Sequence, residues 1–284
     1  MPGACLIRIA TYNVQDLFLC GEGAAKLPRA QRALAHMIQR VAADFWLLQE
    51  VGSLASLNLL NEQLDEPFAH TYLQPGNSNR SIHLGILSRW PVSVTSHAHC
   101  ALTDDHGKAL LGYVDQAAAL AGQAAPLRLQ RDILQVELRV AAQPLVLFGV
   151  HLKSHAQMNW QSIATADVRA AEVRVLHVLC DRYRQTHPTV PMVLLGDFND
   201  VASSSVFAPL DDLDLTDLHA ERYTAMGRRP STYWPKRRAR IDRIVLNPAA
   251  AALALPDTAE IHNGHRAQVA SDHYPVSLDL EVGI

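Results

Sequence analysis

Residues 192–200 read Met-Val-Leu-Leu-Gly-Asp-Phe-Asn-Asp, an apolar run followed by a glycine and then by polar side chains. The run before Gly196 is typical of a β-strand that is buried on both faces. Asp197 and Asn199 come directly after it. Because open α/β folds bind their ligands at the carboxyl ends of such strands, this stretch predicts an α/β protein with a polar site at one sheet edge.

Polar residues end several other apolar segments in the same way. Glu50 follows Leu-Leu-Gln, and His151 follows Phe-Gly-Val. Three further places carry such groups: Asn13 after Ala-Thr-Tyr, Asp242 in Arg-Ile-Asp-Arg, and Asp272 with His273 in Ser-Asp-His. These residues come from both ends of the chain, and we therefore expect them to build one shared site.

The hydrophobic pattern alternates short strand-like runs with helical stretches. Helices are predicted at Pro28–Val41, Leu54–Leu64 and Thr165–Tyr183. Strands are predicted at Leu6–Tyr12, Asp44–Gln49, Ile82–Ser88, Val92–Ala98, Ile133–Val140, Leu145–Val150, Met192–Leu195, Ile241–Leu246 and Val276–Leu280. We expect 82–88 and 92–98 to form one hairpin, and 133–140 and 145–150 another. Hairpins together with helical crossovers favour an α/β fold with mixed strand pairing.

Residues 1–284 are predicted to form a single domain, since no linker or internal repeat divides the chain. The Ala- and Gly-rich segment 102–126 is interpreted as a surface insertion between two strands. The longest apolar run, Ala249–Leu255, is far shorter than the roughly 18 residues that a membrane span needs. The first residues carry no secretory leader, and a cytoplasmic location is therefore expected.

Composition excludes several classes of protein. The chain has 25 Lys and Arg against 28 Asp and Glu, a formal net charge of −3, which argues against a protein that coats nucleic acid by bulk charge. The four cysteines are scattered and form no Cys-x-x-Cys pair. A thiolate zinc site is thus not expected, and a disulfide framework is unnecessary at this size.

The collected carboxylates, imidazoles and amides point to phosphoryl chemistry. Hard oxygen donors suit Mg²⁺ or Mn²⁺, and such an ion can neutralise a phosphate while a carboxylate orients water. The chain lacks the Gly-x-x-x-x-Gly-Lys loop, the Gly-x-Gly-x-x-Gly turn, the Gly-x-Ser-x-Gly elbow and the His-Glu-x-x-His helix. The NTPase, dinucleotide-binding, serine-hydrolase and zincin classes therefore lose their main support.

Six motifs in chain order resemble those of the endonuclease/exonuclease/phosphatase superfamily, also called DNase I-like. They are Thr-Tyr-Asn-Val, Leu-Gln-Glu-Val, Gly-Val-His-Leu-Lys-Ser, Gly-Asp-Phe-Asn-Asp, Ile-Asp-Arg-Ile and Ser-Asp-His-Tyr-Pro-Val, and they run from Ile9 to Val276. The resemblance implies a four-layer α/β sandwich, with two mixed β-sheets packed face to face and flanked by helices. It also implies divalent-metal-dependent cleavage of a phosphate ester.

The resemblance implies a set of metal ligands. Glu50 matches the principal metal ligand, with Asn13 beside it, and Asp272 matches a further carboxylate at the metal. Some members carry an acidic residue two positions after the first-motif Asn, where this chain has Gln15. A single tightly held ion, Mg²⁺ or Mn²⁺, is therefore predicted.

The resemblance also implies catalytic roles. Asp197 matches the residue that orients and activates the attacking water, and Asn199 matches the amide that holds the phosphate. His151 and His273 match the pair that contacts the phosphate oxygens. Asp242 matches the carboxylate that buttresses His273, which would raise the pKa of that imidazole and favour its cationic form.

Other charged residues have weaker interpretations. The dense basic stretch Arg228–Arg240 is either a solvated hairpin tip or a rim that contacts substrate phosphates. Lys153 and Arg240 are the candidate phosphate contacts. Glu172 is interpreted as half of a solvated ion pair with Arg169, three residues earlier on the same helix.

The sequence thus predicts a metal-dependent phosphodiesterase, with a nuclease acting on DNA rather than RNA as the leading hypothesis. In-line attack by water is the predicted mechanism. A phosphomonoesterase or a phospholipid or small-molecule diesterase of the same superfamily is the alternative. A non-catalytic binding module is a remote one, because Glu50, Asp197, Asp242 and His273 are all retained. No membrane and no obligate protein partner are predicted, and endonuclease and exonuclease action are both left open.

Overall fold

The computed structural model describes residues 5–20, 26–140, 143–157, 163–229, 231–234 and 239–283. In these ranges the strands are β1 (Cys5–Leu17), β2 (Phe45–Val51), β3 (His70–Gln74), β4 (His83–Ser88), β5 (Val92–Ser96), β6 (Leu111–Gly112), β7 (Ala125–Pro126), β8 (Leu134–Val140), β9 (Gln143–His151), β10 (Met192–Asp197), β11 (Asp242–Leu246), β12 (Glu260–Ile261) and β13 (Val276–Val282). The α-helices there are α1 (Pro28–Val41), α2 (Leu54–Asn61), α3 (Gln116–Leu120), α4 (Thr165–Thr186), α5 (Leu218–Ala225), α6 (Pro248–Ala251) and α7 (His265–Ala270). Two 3₁₀ helices span Ser205–Leu213 and Pro256–Thr258.

The first sheet has the strand order β12-β13-β1-β2-β4-β3. Its central strand β1 runs parallel to β2 and antiparallel to β13. The remaining neighbours are antiparallel. The connection from β1 to β2 passes through α1, as a parallel pair requires, and both strands therefore end at the same sheet edge.

The second sheet repeats this plan with the strand order β11-β10-β9-β8-β5. β9 and β10 are parallel and are connected through α4, while the other pairs are antiparallel. The hairpin predicted from 133–140 and 145–150 is confirmed as β8 and β9. Each sheet thus contributes one parallel pair whose carboxyl ends can carry polar residues.

The two sheets pack face to face over an apolar core. Side chains alternate along β9: Leu145 and Leu147 lie in the core between the sheets, whereas Val146 and Phe148 lie in the core beneath α4. This alternation is the period-two pattern of a strand that is covered on both faces. At Gly149 the sheets approach so closely that a Cβ would lie 2.7 Å from a methyl carbon of Leu47.

Helices cover the outer faces. The buried residues of α1 recur at helical spacing and pack into the core of the first sheet: Leu34, Met37, Ile38 and Val41. Helix α4 contributes a similar stripe to the core of the second sheet: Val168, Ala171, Leu176 and Cys180. These stripes are the amphipathic pattern of a helix that covers a sheet. The layers run helix, sheet, sheet, helix, and the predicted four-layer sandwich of two mixed sheets is confirmed.

One predicted hairpin is wrong. β4 pairs with β2 and β3 in the first sheet, whereas β5 pairs with β8 in the second. Residues 89–91 therefore carry the chain from one sheet to the other. A tight turn and a crossing between sheets begin with the same local pattern, and here the long-range partner β8 determines which one forms.

The segment 102–126 lies between β5 and β8 and has short elements of its own. It contains the two-stranded sheet of β6 and β7 and the helix α3, which has no buried residue. No helix among the described residues is both long enough and apolar enough to cross a membrane.

Candidate active site

Three neighbouring strands of the second sheet place three predicted site residues side by side. Asp197, at the end of β10, is the register partner of both His151 on β9 and Asp242 on β11. All three residues are buried, with relative exposures of 3% or less. The pairing register alone therefore brings an imidazole and two carboxylates together in a region that water barely reaches.

The Gly-Asp-Phe-Asn motif depends on two unusual backbone conformations. Gly196 has a φ of 136° and Asn199 a φ of 54°, in the region that favours glycine and tolerates asparagine. A Cβ on Gly196 would clash with the carbonyl oxygen of Val150. The turn lets the Asn199 backbone N–H donate to Asp197 Oδ1 at 2.8 Å, while its side-chain amide donates to the Leu152 carbonyl at 2.8 Å.

His273 is held by Asp242. The distance from His273 Nδ1 to Asp242 Oδ2 is 2.8 Å, and the Asp242 backbone N–H donates to Thr232 Oγ1 at 3.0 Å. Burial disfavours a charge on His273, but the adjacent Asp242 carboxylate outweighs it and raises the pKa of His273 to about 10. The imidazole is therefore cationic at neutral pH, with Nε2 3.9 Å from Asp197 Oδ2.

Asp197 lies at the centre of the cluster. Its Oδ2 atom accepts a hydrogen bond from Asn13 Nδ2 at 3.0 Å and lies 3.6 Å from His151 Nε2. Burial and the nearby Asp242 carboxylate raise the pKa of Asp197 to about 7, although His273 and the Asn13 amide oppose the shift. A carboxylate whose pKa lies near the working pH is suited to accept a proton from water.

The first sheet contributes Asn13 and Glu50 from the ends of its parallel pair. Asn13 is the register partner of Gln49, and its amide bridges the two sheets by donating to Asp197 and, at 3.4 Å, to Glu50 Oε1. The Gln15 backbone N–H donates to Asn13 Oδ1 at 3.0 Å and fixes this orientation. Glu50 has a φ of 64°, a strained conformation of the kind found at functional sites.

The segment of residues 271–273 closes the site from the far end of the chain. Ser271 Oγ donates to the Asn13 carbonyl at 2.7 Å and accepts the His273 backbone N–H at 3.1 Å. Gln15 accepts the Asp272 backbone N–H through its side-chain oxygen at 3.2 Å. The residue that departs from the pattern of the superfamily thus holds the backbone of a predicted metal ligand.

Sequence comparison agrees with this geometry. A model of the endonuclease/exonuclease/phosphatase family matches residues 10–273. The chain belongs to this family. No sequence among the curated proteins matches the chain.

Solved structures of the family share the fold at low sequence identity. Truncated Caenorhabditis elegans TDP2 is 16% identical with a TM-score of 0.61, and the match covers 98% of both chains. The human Nocturnin catalytic domain with bound sulfate is also 16% identical, with a TM-score of 0.62, and the match covers 97% of this chain and 96% of that one. A family protein from Beutenbergia cavernae is 20% identical with a TM-score of 0.58, over 98% of this chain and 72% of that one.

Members of the endonuclease/exonuclease/phosphatase family use divalent metals, and the residues present fit such an ion. Asp197, Asp242 and His273 each place one potential ligand atom within 4.8 Å of the others. However, Asp242 is hydrogen-bonded to His273, and the cationic imidazole of His273 repels a metal ion and has no free lone pair to bind one. Glu50 and Asp272 offer carboxylate oxygens at the rim of the same cluster, the hard donors that Mg²⁺ and Mn²⁺ prefer.

His151 differs from His273 in its charge. Burial, together with the nearby Arg131 guanidinium, lowers the pKa of His151 well below its usual range. Its Nδ1 atom is buried and has no hydrogen-bond partner among the described residues. The candidate site therefore combines a neutral imidazole with a cationic one, and their Nε2 atoms lie 3.6 and 3.9 Å from the same oxygen, Asp197 Oδ2.

The two candidate phosphate contacts lie in different settings. Lys153 is half-buried, and its ammonium group donates to the Ala156 carbonyl at 2.8 Å. Burial, with the nearby Arg131, lowers the pKa of Lys153 to about 8. The Arg240 guanidinium instead forms an ion pair with Asp217 at 2.7 Å, with 10% of its side chain exposed. Of the basic stretch 228–240, residues 230 and 235–238 lie outside the described residues.

Sequence analysis missed a buried charged network behind residues 151–154. Glu172 is fully buried rather than solvated, and it accepts the Lys153 backbone N–H at 2.6 Å. Arg169 pairs with Asp200 at 2.8 Å and donates to the Lys153 carbonyl at 2.7 Å. Arg131 donates to the Leu152 carbonyl at 2.8 Å, the same oxygen that holds the Asn199 amide.

A signal for Glu172 was available in the sequence. Glu172 lies four residues after Val168 and four before Leu176, on the apolar stripe of α4. Residues at this spacing share one helix face. The interpretation of Glu172 as half of a solvated pair with Arg169 is therefore wrong. The two residues are three positions apart, but both lie on the buried side of α4.

Proposed function

We propose that the protein is a divalent-metal-dependent phosphodiesterase that hydrolyses nucleic acid, with DNA as the preferred substrate. The observation that carries the proposal is the buried Asp197 carboxylate. It accepts hydrogen bonds from two donors at 3.0 Å or less, and its Oδ2 atom lies 3.6 Å from a neutral imidazole and 3.9 Å from a cationic one. This arrangement supplies a proton acceptor beside a fixed positive charge, as in-line attack of water on a phosphodiester requires.

In the proposed reaction the oxygen of a water molecule attacks the phosphorus while Asp197 accepts a proton of that water. The bond from the phosphorus to the leaving sugar oxygen breaks on the opposite side, and this oxygen takes up a proton from solvent. Asn13 and the Asn199 backbone N–H bind the carboxylate oxygens and fix the direction in which it faces. Proton transfer to such a positioned base contributes typically 10²–10⁴-fold to rate. Because the pKa of Asp197 lies at about 7, the group is a competent base at neutral pH and is easily reset after turnover.

His273 stabilises the charge that develops on the phosphate. Asp242 holds Nδ1, and this bond leaves the Nε2 proton free to be donated to a phosphate oxygen. Glu50, Asp272 and Asn13 would hold the metal ion, which when bound neutralises phosphate charge and polarises the phosphorus centre. His151 would present its Nε2–H to a second phosphate oxygen. The Asn199 side chain would lie beside the same phosphate.

The substrate class is tested with one panel of compounds. The purified protein, with Mg²⁺ or Mn²⁺, is given plasmid DNA, linear DNA, RNA, bis(p-nitrophenyl) phosphate, p-nitrophenyl phosphate and inositol phosphates. We expect hydrolysis of DNA and of the synthetic diester, none in EDTA, and nicked circles if the action is endonucleolytic. Hydrolysis of monoesters alone would overturn the proposal in favour of a phosphomonoesterase.

The mechanism is tested with the Asp197→Asn variant. This isosteric change keeps the shape of the side chain and removes the base, so kcat for the diester should fall at least about 10²-fold while the circular dichroism spectrum stays unchanged. Asp105→Asn, at an exposed position in segment 102–126, is the matched control and should retain full activity. Equal activity in the two variants would refute the role of Asp197.

A further inference from the structure

Helix α1 presents a basic face to solvent. Arg29, Arg32, His36 and Arg40 are spaced by three, four and four residues, which places them along one stripe of the helix. The buried apolar stripe of α1 lies on the opposite side. The basic stripe extends about 16 Å from Arg29 to Arg40 at 1.5 Å per residue.

Helix α7 extends this stripe into a concave surface. His36, Arg40, His265 and Arg266 line one open cavity between the two helices, together with Asn263. The Arg266 guanidinium lies 2.9 Å from His36 Nδ1. We name the set Arg29, Arg32, His36, Arg40, His265 and Arg266 the α1–α7 surface.

The guanidinium groups of the α1–α7 surface are not neutralised by carboxylates of the described residues. Six other arginines of those residues form such ion pairs at 3.4 Å or less: Arg8, Arg80, Arg89, Arg169, Arg184 and Arg240. Neither α1 nor α7 contains an aspartate or glutamate. Four unpaired arginines on a chain of net charge −3 form a local positive field, which is the electrostatic footprint of a site for a polyanion.

One end of the α1–α7 surface lies beside the candidate active site. α7 ends at Ala270, next to the segment 271–273 that carries Asp272 and His273. At the same end of the surface, Lys26 precedes α1, and its ammonium group donates to the carbonyl oxygens of Val14 and Gln15 at 2.8 and 2.9 Å. A phosphate chain that lies along α1 would therefore approach the site edge where Asn13 and Glu50 lie.

We propose that the α1–α7 surface binds the sugar–phosphate backbone of the nucleic acid, several nucleotides away from the bond that is cut. The inference rests on the proposed function and adds to it a second, non-catalytic contact region. One DNA strand carries a phosphate at every nucleotide, and the stripe is long enough to meet more than one of them. Such a contact favours a polymer over a small phosphate ester.

The test compares two double variants that each remove two positive charges. Arg40→Gln with Arg266→Gln alters the α1–α7 surface. Arg139→Gln with Arg182→Gln, at exposed positions on β8 and α4, is the matched control. The dissociation constant of a fluorescent 20-base-pair DNA is measured by anisotropy in EDTA at several salt concentrations, and the hydrolysis of bis(p-nitrophenyl) phosphate is measured with Mn²⁺.

We expect the surface variant to bind DNA about tenfold more weakly and to lower the slope of log affinity against log salt by about 2, since each phosphate contact contributes about 0.9. Its kcat/KM for the small diester should equal that of the wild type. Equal weakening by the control variant, or an unchanged affinity in the surface variant, would overturn the inference. Binding of anionic phospholipid vesicles without binding of DNA would also overturn it.

The proposed function and the proposed role of the α1–α7 surface can fail independently of each other. If the wild-type protein hydrolyses no substrate of the panel but the surface variant still loses DNA affinity, the surface stands and the assigned reaction does not. If DNA is cleaved and its affinity is the same in both double variants, the reaction stands and the surface does not.

Discussion

Asp197 and His273 are neighbouring buried groups whose pKa values are both raised, for different reasons. The pKa of Asp197 rises to about 7, mainly because burial disfavours its charge, and repulsion by the Asp242 carboxylate adds to the shift. Burial lowers the pKa of His273, but the adjacent Asp242 carboxylate outweighs this effect and raises the pKa to about 10. Asp242 thus raises the pKa of both groups.

Replacing Asp242 should shift the pH dependence of catalysis. His273 is cationic below its pKa of about 10, and Asp242→Asn removes the charge that holds it there, so the imidazole loses its proton at lower pH. In profiles of kcat/KM against pH for the synthetic diester, the alkaline limb should move to lower pH by at least one unit. The largest loss of kcat/KM should occur near pH 8. A limb that stays in place would show that Asp242 does not control His273.

Glu172 should make the protein less stable as pH rises. Burial raises its pKa to about 7 from the usual 4.5, so the folded state binds the proton more tightly than the unfolded state. The resulting stabilisation is complete below pH 4.5 and is lost as pH rises through 7. A difference of 2.5 pKa units corresponds to about 3 kcal/mol.

Glu172→Gln removes this titration and keeps an oxygen to accept the Lys153 N–H. The free energy of unfolding, measured with urea, should fall less between pH 5 and pH 8 in the Glu172→Gln variant than in the wild type. Glu281→Gln, at an exposed position of β13, serves as the control and should follow the wild type. Parallel behaviour of the wild type and Glu172→Gln would contradict the assignment.

At the scale of single elements, the end of β10 depends on Gly196. Substitution by alanine places a methyl group against the Val150 carbonyl and forces an L side chain to adopt a φ of 136°. Gly196→Ala should lower the unfolding free energy by about 3 kcal/mol or more. Gly227→Ala is the matched control, since Gly227 also has a positive φ of 66° but has open space around it.

The two glycine variants separate crowding from backbone strain. The cost at Gly227 should be about 1 kcal/mol, and chemical denaturation measures both. If Gly196→Ala cost no more than Gly227→Ala, the contact with Val150 would not constrain the strand end, and the placement of Asp197 would need another cause.

The sequence was sufficient to predict helices and strands whose apolar residues recur at a regular spacing, and to predict the polar residues at strand ends. The helix predicted at Pro28–Val41 has the bounds of α1, since its apolar stripe and its N-terminal proline are local signals. The separation of β4 and β5 into different sheets was not predictable, because strand partners are chosen by distant segments. Strand β3 was missed for a related reason, since all its residues are only half-buried and its apolar pattern is weak.

The site shows the same contrast between residues that a local sequence pattern predicts and residues whose roles depend on distant contacts. Asp197, His151 and Asp242 were found from the sequence because each ends or begins an apolar run, and the register then joins them. Arg131 was not found, because its role arises only from its contact with the distant Leu152 carbonyl, which has no local pattern. Glu172 has a local signal, its position on the apolar stripe of α4, but its hydrogen bond with the Lys153 backbone N–H depends on how α4 packs over residues 151–154.

At the scale of the whole molecule, the site joins the two sheets. Asn13 of the first sheet donates to Asp197 of the second, and Ser271 ties residues 271–273 to the end of β1. We propose on this basis that the chain is one domain that unfolds in a single cooperative step. Far-ultraviolet circular dichroism and tryptophan fluorescence should therefore report the same midpoint.

Binding of the metal ion should stabilise this single unit. A ligand at 100 times its dissociation constant adds about 2.7 kcal/mol to the unfolding free energy, so Mn²⁺ or Mg²⁺ should raise the melting temperature of the wild type by several degrees. Glu50→Gln should abolish the rise, whereas Asp105→Asn should keep it. A rise of equal size in Glu50→Gln would exclude Glu50 as the principal ligand.

The pairing of β1 with β13 has a consequence for synthesis on the ribosome. Cys5 is the register partner of Val282, and Thr11 of Val276, so β1 leaves the exit tunnel long before one of its two neighbouring strands. The edge of β1 that pairs with β13, at Ile7 and Ile9, therefore has no partner strand while the more than 260 residues between Ile9 and β13 are translated. His273 also emerges more than 250 residues after Asn13, and a nascent chain therefore has no complete candidate site until His273 has been translated.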